Sequence, residues 1–219
     1  MISIIIPVLN SHEILRRQLL YFNKLDLAGS EVIIVDDGSD PEIVRPEVNY
    51  NLGITKTNDK RPWTQPIARN IGANKASGEV LIFTDIDHII TNEIIDFAKN
   101  LKYDYSRFKR ELGVLDEDGN FTQDRDVLLM YGIPYNRGLR ISCHTLSMAI
   151  KRSVFEKTGG FRENVGQHPT HDDGNMKRKL DKIKAIKCPD NERPTIYMIP
   201  NGRYAANNNP FGYFHNLER

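Results

Sequence analysis

The sequence has few of the features that are typical of disulfide-rich, membrane-spanning or nucleic-acid-binding proteins. Only Cys143 and Cys188 are cysteines among 219 residues, which argues against a disulfide framework and a cysteine-based zinc site. The longest apolar runs are short, such as VIIV at residues 32–35, whereas a membrane span needs about 20 apolar residues. Thirty basic and 29 acidic residues leave a net charge of +1. An overall basic surface that would bind nucleic acid or membranes is therefore not expected. We therefore expect a cytoplasmic protein without a signal peptide or transmembrane segment.

Two glycine-rich phosphate motifs are also missing. Neither G-x-G-x-x-G after the first predicted strand nor G-x-x-x-x-G-K-[ST] anywhere is present. The first strand–helix turn is therefore neither a dinucleotide cradle nor a P-loop. If phosphates bind, a metal ion must neutralise much of their charge.

Short apolar runs alternate with helical patterns along the first hundred residues. Residues 2–6, 32–35 and 80–83 are typical of strands that are buried on both faces, which predicts a mostly parallel sheet. Helices are predicted from residue 11 onward, at residues 65–76 and at 92–101. Further along, we predict an irregular or hairpin-containing insertion at 102–126, strands at 127–131, 146–150, 184–187 and 195–199, and helices at about 153–158 and 172–182. The expected fold class is a single α/β domain with helices flanking the sheet and a small antiparallel C-terminal portion.

Acidic residues follow two of the predicted buried strands. Asp36 and Asp37 end one strand, and the triplet Asp85-Ile86-Asp87 follows another. Because ligands bind outside the carboxyl ends of strands in open α/β sheets, these carboxylates should converge on one edge. Converging carboxylates repel one another unless a cation joins them, and Mg²⁺ or Mn²⁺ prefers such oxygen ligands. The alternative is that both clusters are ordinary turn residues.

Five segments in order extend this pattern: IIIPVLN, VIIVDDGSD, ARNIGANKASGEVLIFTDID, LSMAIKRSVFEKTGGF and HDDGNMKRKL. Together they resemble the successive signatures of glycosyltransferase family 2 and its GT-A relatives over nearly the whole chain. The resemblance is weakest at 102–140 and after 190. It implies one Rossmann-like GT-A domain over 1–219, with a nucleotide-sugar-binding half (1–101) and an acceptor-binding half (102–219). It also implies metal-dependent, inverting transfer from a nucleotide-diphosphate sugar, with UDP the favoured nucleotide.

The resemblance assigns roles to residues by position. Asp85 and Asp87 would hold Mn²⁺ or Mg²⁺ against the diphosphate. Asp173 would be the general base that takes the proton from the acceptor hydroxyl during attack. The donor would contact Pro7, Val8, Asn10, Asp36, Asp37, Arg69, Asp85 and Ile86.

The C-terminal part also resembles the galactosyltransferase branch of GT-A enzymes, through GGFREN followed by HDDGNMKRKL. In that branch a later histidine completes the metal site, which points to His215, with His88 and His171 as rivals. The usual Glu-Asp pair is Asp-Asp in this chain, so Asp172 is an alternative base. Both aspartates could instead only cap the helix or complement its dipole.

The acceptor would be a glycan, a lipid-linked group or another hydroxyl compound. Candidate acceptor residues are Trp63, which could instead pack over the sheet edge, and Tyr135 and Arg137 in the aromatic and basic segment 131–140. The basic stretch 177–187 is expected to be a solvated face, with contact to a phosphate-bearing acceptor as the alternative. A nucleic-acid acceptor is less favoured because no aromatics interleave with those charges.

Two other functions remain open at this point. FTDID after an apolar strand also resembles the motif of haloacid-dehalogenase-type phosphatases, in which Asp85 would be the nucleophile and Asp87 the acid/base. That family places the motif on its first strand, whereas two predicted strands precede it here. The third reading is a non-catalytic module that binds nucleotide sugars or glycans.

Overall fold

The described residues form three sheets of six, four and two strands, and the two larger sheets take strands from both the early and the late parts of the chain. The computed structural model describes residues 1–59, 61, 64–144, 146–163 and 170–200, and residues 170–174 by their backbone alone. The strands are β1 (Ile2–Val8), β2 (Ser30–Asp36), β3 (Asn51–Lys56), β4 (Val80–Phe83), β5 (His88–Ile89), β6 (Tyr105–Arg107), β7 (Lys109–Leu112), β8 (Val114–Leu115), β9 (Phe121–Thr122), β10 (Arg140–Ile141), β11 (Met148–Lys151) and β12 (Thr195–Met198). The helices are α1 (His12–Phe22), α2 (Gln65–Lys75), α3 (Asn92–Lys99), α4 (Arg125–Met130), α5 (Arg152–Thr158) and α6 (Thr170–Lys182).

The larger sheet has six strands in the order β3-β2-β1-β4-β11-β6. Its first four strands are parallel, and β11 is antiparallel to both β4 and β6. The apolar runs become the buried centre of this sheet, and Ile5 of β1 lies level with Ile33 and Phe83 on the neighbouring strands. The predicted α/β class with a mostly parallel sheet is confirmed.

Both faces of the sheet are covered, which explains why its strands are continuously apolar. Ile4 and Ile6 belong to one buried cluster with residues of α1 and α3, whereas Ile5 belongs to a second cluster with residues of α2 and α5. Helix α2 lies very close to β1, since a Cβ added to Gly72 would fall 2.4 Å from the Ile5 Cγ2 atom. This close approach sets the position of α2 above the sheet edge.

A second sheet, in the order β10-β7-β12-β5, extends the fold beside the acidic triplet. Its β10–β7 and β12–β5 pairs are antiparallel, and its β12–β7 pair is parallel. His88 of β5 pairs with Met198, and the Ile199 amide donates to the Asp87 carbonyl over 2.8 Å. The late part of the chain therefore supports the loop that follows β4.

Two strand predictions were wrong. Residues 127–131 lie largely in helix α4, because the Asp124 side chain accepts the amides of Asp126 and Val127 and so caps a helix start. Residues 184–187 form no strand beyond one bridge between Tyr105 and Lys187, as the chain turns through a left-handed Lys184 with a φ of 55°.

The other predicted elements are found near their expected positions, with ends that differ by a few residues. Helix α2 ends at Lys75, helix α3 at Lys99, and helix α6 begins at Thr170. Within the described ranges, no helix is both long and apolar enough to cross a bilayer.

Candidate functional site

The carboxyl ends of β1, β2 and β4 meet at one edge of the larger sheet. The Asp37 amide donates to the Val8 carbonyl over 2.8 Å, and the Thr84 amide donates to the Ile5 carbonyl over 3.2 Å. These bonds bring the loops after β1, β2 and β4 side by side. Because β1 lies between β2 and β4, the acidic clusters that follow β2 and β4 lie along one edge of the sheet, which is the arrangement that the sequence predicts.

The loop after β1 is joined to the loop after β2. Pro7 and Val8 are buried residues of β1 itself rather than of the loop that follows it. Asn10 has a positive φ of 49°, donates its amide to the Ser39 hydroxyl over 3.0 Å and accepts the Asp40 amide at 2.8 Å. The two loops therefore form one continuous wall of the edge.

Asp36 shapes the loop after β2 from within. One carboxylate oxygen accepts the amides of Gly38 and Ser39, at 3.2 and 2.8 Å, and the other accepts the Ile43 amide at 3.3 Å. The next residue, Asp37, is also buried, and both of its oxygens accept the Thr64 hydroxyl, at 2.7 and 2.8 Å. Thus Asp36 organises its own loop, and Asp37 ties that loop to the start of α2.

Arg69 of α2 reaches Asp85 from the face of the sheet that α2 covers. Its side chain is 1% exposed and forms an ion pair with Asp85 Oδ1, which also accepts the Gln65 amide at 3.0 Å. The guanidinium carbon lies 5.6 Å from the centre of the Phe161 ring. The Arg69 Nε and Nη1 atoms have no hydrogen-bond partner within the described structure. The buried guanidinium of Arg69 is therefore paired with Asp85, the first aspartate of the triplet.

The surroundings of Asp85 favour its ionised form. Burial alone would raise the pKa of this carboxyl, but the positive charge of Arg69, followed by His144 and His88, holds the pKa well below its usual range. The Arg69 guanidinium and the two imidazoles thus favour the ionised form of Asp85.

Two histidines face the acidic triplet. His88 Nδ1 lies 2.9 Å from Asp87 Oδ1 and 3.9 Å from Asp85 Oδ2, and His144 Nδ1 lies 3.3 Å from the same Asp85 oxygen. The two imidazole centres are 5.4 Å apart. One donor atom each from Asp85, Asp87 and His88 lie within 4.8 Å of one another, a spacing that could hold a metal ion.

Gln18 of α1 fixes the shape of this loop. Its side chain is fully buried, and its amide donates to the carbonyls of Ile86 and His88 over 3.2 and 2.8 Å. Sequence reasoning missed Gln18 and His144, because neither lies in a motif and both reach the site through contacts between distant parts of the chain. For His88, the sequence indicates only an alternative to His215 as a metal ligand.

The remaining predicted residues are placed less completely. Tyr135 is 55% exposed and donates its hydroxyl to Asp126, while the Arg137 carbonyl accepts Arg125 Nη1 at 2.9 Å. Asp172 and Asp173 lie in the first turn of α6, where only the backbone is described. Trp63 and His215, the other two predicted residues, lie outside the described residues.

An open, mostly parallel sheet with helices on both faces and acidic loops along its carboxyl edge defines a Rossmann-like α/β protein. Solved structures with this fold include S. aureus TarS 1-349 in complex with UDP-GlcNAc, with a TM-score of 0.61 and 18% identity over 91% of this chain and 58% of that one. The mannosyltransferase PcManGT from Pyrobaculum calidifontis, in complex with GDP-Man and Mn²⁺, has a TM-score of 0.57 and 18% identity over 93% of this chain and 58% of that one. The shared fold is the GT-A fold.

The family model for glycosyl transferase family 2 matches residues 3–159. This chain belongs to glycosyltransferase family 2. A Haemophilus influenzae protein described as an uncharacterized glycosyltransferase is 32% identical over 107 residues, which is 46% of this chain and 41% of that protein. The chain thus spans less than half of that relative and somewhat over half of the two solved structures.

Proposed function

We propose that the protein is a metal-dependent, inverting glycosyltransferase that moves a sugar from a nucleotide-diphosphate sugar to an acceptor hydroxyl. The observation that carries the proposal is the group formed by Asp85, Asp87 and His88 at the carboxyl edge of the sheet, beside the buried Arg69. Family membership supports the reaction type. UDP is the favoured nucleotide, although similar folds have been solved with both UDP-GlcNAc and GDP-Man.

The residues present fit a divalent metal ion. Asp85, Asp87 and His88 each offer one donor atom within 4.8 Å of the others, and the buried His88 Nδ1 lacks a hydrogen-bond partner in the described structure. These three residues would hold Mn²⁺ or Mg²⁺. When bound, the ion would supply a Lewis acid that stabilises the charge building on the diphosphate leaving group.

The chain's own residues would prepare the donor site. Arg69 fixes the Asp85 carboxylate and adds positive charge behind the diphosphate position. The Asp36 and Asp37 loop would receive the base and ribose, since a carboxylate that accepts one hydroxyl still has lone pairs for another donor. Pro7, Val8 and Asn10 would form the neighbouring wall, and Ile86 the floor.

Asp173 would act as the general base, with Asp172 as the alternative. The carboxylate of the base would take the proton of the acceptor hydroxyl as the hydroxyl oxygen attacks the anomeric carbon. Since this mechanism uses a single base and no carboxylate nucleophile, the configuration at the anomeric carbon would be inverted. Roles for Trp63, Tyr135, Arg137 and His215, acceptors of glycan or lipid-linked type, the two functional halves and a cytoplasmic location all stay predictions.

The test is a screen of UDP- and GDP-sugars with Mn²⁺ and with Mg²⁺, read by release of the nucleotide diphosphate and by thermal shift. We expect Asp87→Ala to lose metal-dependent nucleotide binding and Asp173→Asn to keep binding but lose turnover. Asp96→Ala, on the exposed side of α3, is the matched control and should change neither property. The proposal fails if no nucleotide sugar stabilises the protein or is turned over with either metal.

The same screen separates the other two readings. Trapping of an aspartyl-phosphate at Asp85 would support the phosphatase, although this carboxylate is already engaged by Arg69 and Gln65. Binding of a nucleotide sugar without turnover in the parent protein, and unchanged in Asp173→Asn, would support the non-catalytic module.

A further inference from the structure

We propose that Arg107 and Arg193 bind an anionic group, a phosphate or a carboxylate, on the sugar acceptor. The inference rests on the proposed function, because it names the class of acceptor that the same site would use. It gives a role to two arginines that lie in none of the five sequence segments that resemble the family.

Arg107 lies at the carboxyl edge of the larger sheet, on the far side of β4 from the loops after β1 and β2. Strand β6 ends at Arg107, which is level with Met148 of β11, and Met148 is level with Phe83 at the end of β4. Since β4 and β6 are both antiparallel to β11, they run in the same direction and end at the same edge. Two strand spacings, about 10 Å, therefore separate the Arg107 backbone from the strand that leads to Asp85.

Arg193 lies closer to the acidic triplet, beside a short exposed segment. Its Nη1 atom is 3.9 Å from Cys143 Sγ, and the next residue, His144, places its Nδ1 atom 3.3 Å from Asp85 Oδ2. The Arg193 side chain is buried, whereas Ser142 and Cys143 are both exposed. Arg193 is therefore a buried cation next to a part of the edge that solvent reaches.

The two arginines lie in one region of positive charge. Burial raises the pKa of Tyr105, and the charges of Arg107 and Arg193 both lower it in part, which places the two guanidinium groups near the same phenol ring. A third buried arginine, Arg110, donates its Nε to the Ser142 carbonyl over 2.8 Å. Cationic side chains thus surround this side of the edge, where the neighbouring loops after β2 and β4 carry carboxylates.

The acids recorded around Arg107 and Arg193 do not balance their charge. Among the described residues, no carboxylate forms an ion pair with the half-buried Arg107, and its Nε atom is buried without a hydrogen-bond partner. Arg193 is paired with Asp190, but the Asp190 side chain is 80% exposed, and the buried Arg193 Nε has no partner in the described structure either. Burial of a charged group without a full set of partners is costly, so an anion would complete this arrangement.

Phosphate and carboxylate match these donors. A guanidinium presents parallel N–H groups that bind two oxygens of either acid at once. An uncharged polyol would leave the desolvated guanidinium groups of Arg107 and Arg193 uncompensated. The chemistry of the site therefore favours an acidic acceptor over a neutral one.

The anionic group would position the acceptor and take no part in bond making. The acceptor oxygen forms a bond to the anomeric carbon as the bond from that carbon to the diphosphate breaks, and the hydroxyl proton passes to the general base. Arg107 and Arg193 would fix the charged end of the acceptor, and this sets which of its hydroxyls reaches the donor sugar.

The test compares glycerol 3-phosphate, glycerate and glycerol, which share one carbon skeleton and differ in charge. Binding to the full chain is measured by calorimetric titration, first alone and then with UDP and Mn²⁺ present to occupy the donor site. We expect at least one of the two anions to bind about tenfold or more tightly than glycerol under both conditions. The anion that binds more tightly identifies the acid group of the acceptor.

Arg107→Gln should weaken binding of that anion by at least about tenfold and leave glycerol unaffected. Arg107→Lys, which keeps the charge but not the paired donors, should restore part of the loss. Arg193→Gln should act in the same direction. In turnover, Arg107→Gln should raise the KM for the anionic acceptor with little change in kcat. Arg45→Gln, at an exposed arginine between β2 and β3, is the matched control and should change none of these values.

Equal binding of charged and uncharged compounds, or unchanged anion binding in folded Arg107→Gln and Arg193→Gln, would overturn the inference. Loss of anion binding on addition of UDP would also overturn it, since the anion would then occupy the diphosphate position. Turnover of a nucleotide sugar without any anion binding would leave the proposed function standing while the inference fails. Anion binding that depends on Arg107, without turnover of any nucleotide sugar, would do the reverse.

Discussion

The two acidic clusters at the sheet edge look alike in sequence but are held in different ways. Within the described residues, Asp36, at the end of β2, accepts backbone amides, from Gly38, Ser39 and Ile43. Asp85, after β4, is surrounded by side chains, and its partners there are a buried guanidinium, an amide and two imidazoles. The first carboxylate shapes a loop through the backbone, whereas the second lies among side chains that titrate, coordinate or carry charge.

This difference separates a carboxylate that mainly shapes its loop from one that lies among charged and titratable side chains. A carboxylate that accepts three backbone amides fixes the chain and keeps about one acceptor site for a ligand. Asp85 lies beside buried nitrogens that have no hydrogen-bond partner within the described structure, such as His88 Nδ1 and Arg69 Nε, an arrangement that a ligand would complete. Four predictions test whether the contrast holds, beginning with the largest expected effect.

Replacement of Asp85 should cost the most stability. Asp85→Ala leaves the Arg69 guanidinium, which is 1% exposed, without its carboxylate, and breaking a buried pair in this way costs about 3–5 kcal/mol. The free energy of unfolding in urea measures this loss. Asp87→Ala is the matched control, because the Arg69 guanidinium pairs with Asp85 whereas Asp87 faces the His88 imidazole at 2.9 Å, and it should cost clearly less. Equal losses in the two variants would show that the ion pair with Arg69 does not make Asp85 more important for stability than Asp87.

Acid should weaken the same pair. The pKa of Asp85 in the folded protein lies below its ordinary value of 3.8, so the folded state favours the carboxylate. The resulting stability is fully present above the unfolded pKa and is lost as the pH falls through that range toward the folded pKa. Urea unfolding between pH 7 and pH 3 should show a steeper fall in the native protein than in Asp85→Asn.

Glu13 provides the comparison for that pH profile. Its hydrogen bond with the exposed Arg16, together with one from the buried Arg17, lowers its pKa to about 2, although the Glu13 side chain itself is 45% exposed. Glu13→Gln should therefore change the acid limb much less than Asp85→Asn does, since exposed pairs are screened by solvent. A larger change in Glu13→Gln would show that the site does not dominate the acid response.

Asp36→Ala should have an intermediate effect through the backbone. It leaves three amides without their acceptor in a loop whose aspartate is 2% exposed, which we expect to cost about 2–3 kcal/mol. Asp36→Asn keeps one acceptor oxygen and should cost less. Both variants should bind Mn²⁺ in the absence of nucleotide as the native protein does. Loss of Mn²⁺ binding in a folded variant would contradict the interpretation that Asp36 shapes its loop whereas the metal binds on the Asp85 side of the edge.

The sequence predicts the centre of the fold well because the cause is local. Strands β1, β2 and β4 are buried on both faces, and this forces continuous apolar runs that can be recognised without the structure. The run from Val127 to Met130 is equally apolar, but the Asp124 cap makes it the helix α4. Local hydrophobicity alone does not distinguish these two outcomes.

The residues of the candidate site also differ in whether the sequence alone could identify them. Asp85 and Asp87 could be identified because strand ends meet at one edge, whatever the details of packing. Gln18 could not, since its bond to the His88 carbonyl joins residues 70 apart in the chain. His144 reaches Asp85 from a segment with no recognisable motif, so only the folded chain shows that the two residues are neighbours.

Thr64→Val should have the smallest effect and gives the finest test of the contrast. The Thr64 hydroxyl makes no cap bond to α2 and instead donates to both oxygens of Asp37, so valine removes one donor from a buried carboxylate at nearly constant volume. We expect a loss of about 1–2 kcal/mol in the free energy of unfolding, with Thr64→Ser as the control that keeps the hydroxyl. If Asp37 belongs to the nucleotide-binding wall, UDP affinity should fall modestly while Mn²⁺ binding without UDP is unchanged. A parallel fall in Mn²⁺ binding would mean that the two acidic clusters act as one site, because the only perturbed group lies on the Asp37 side of the edge.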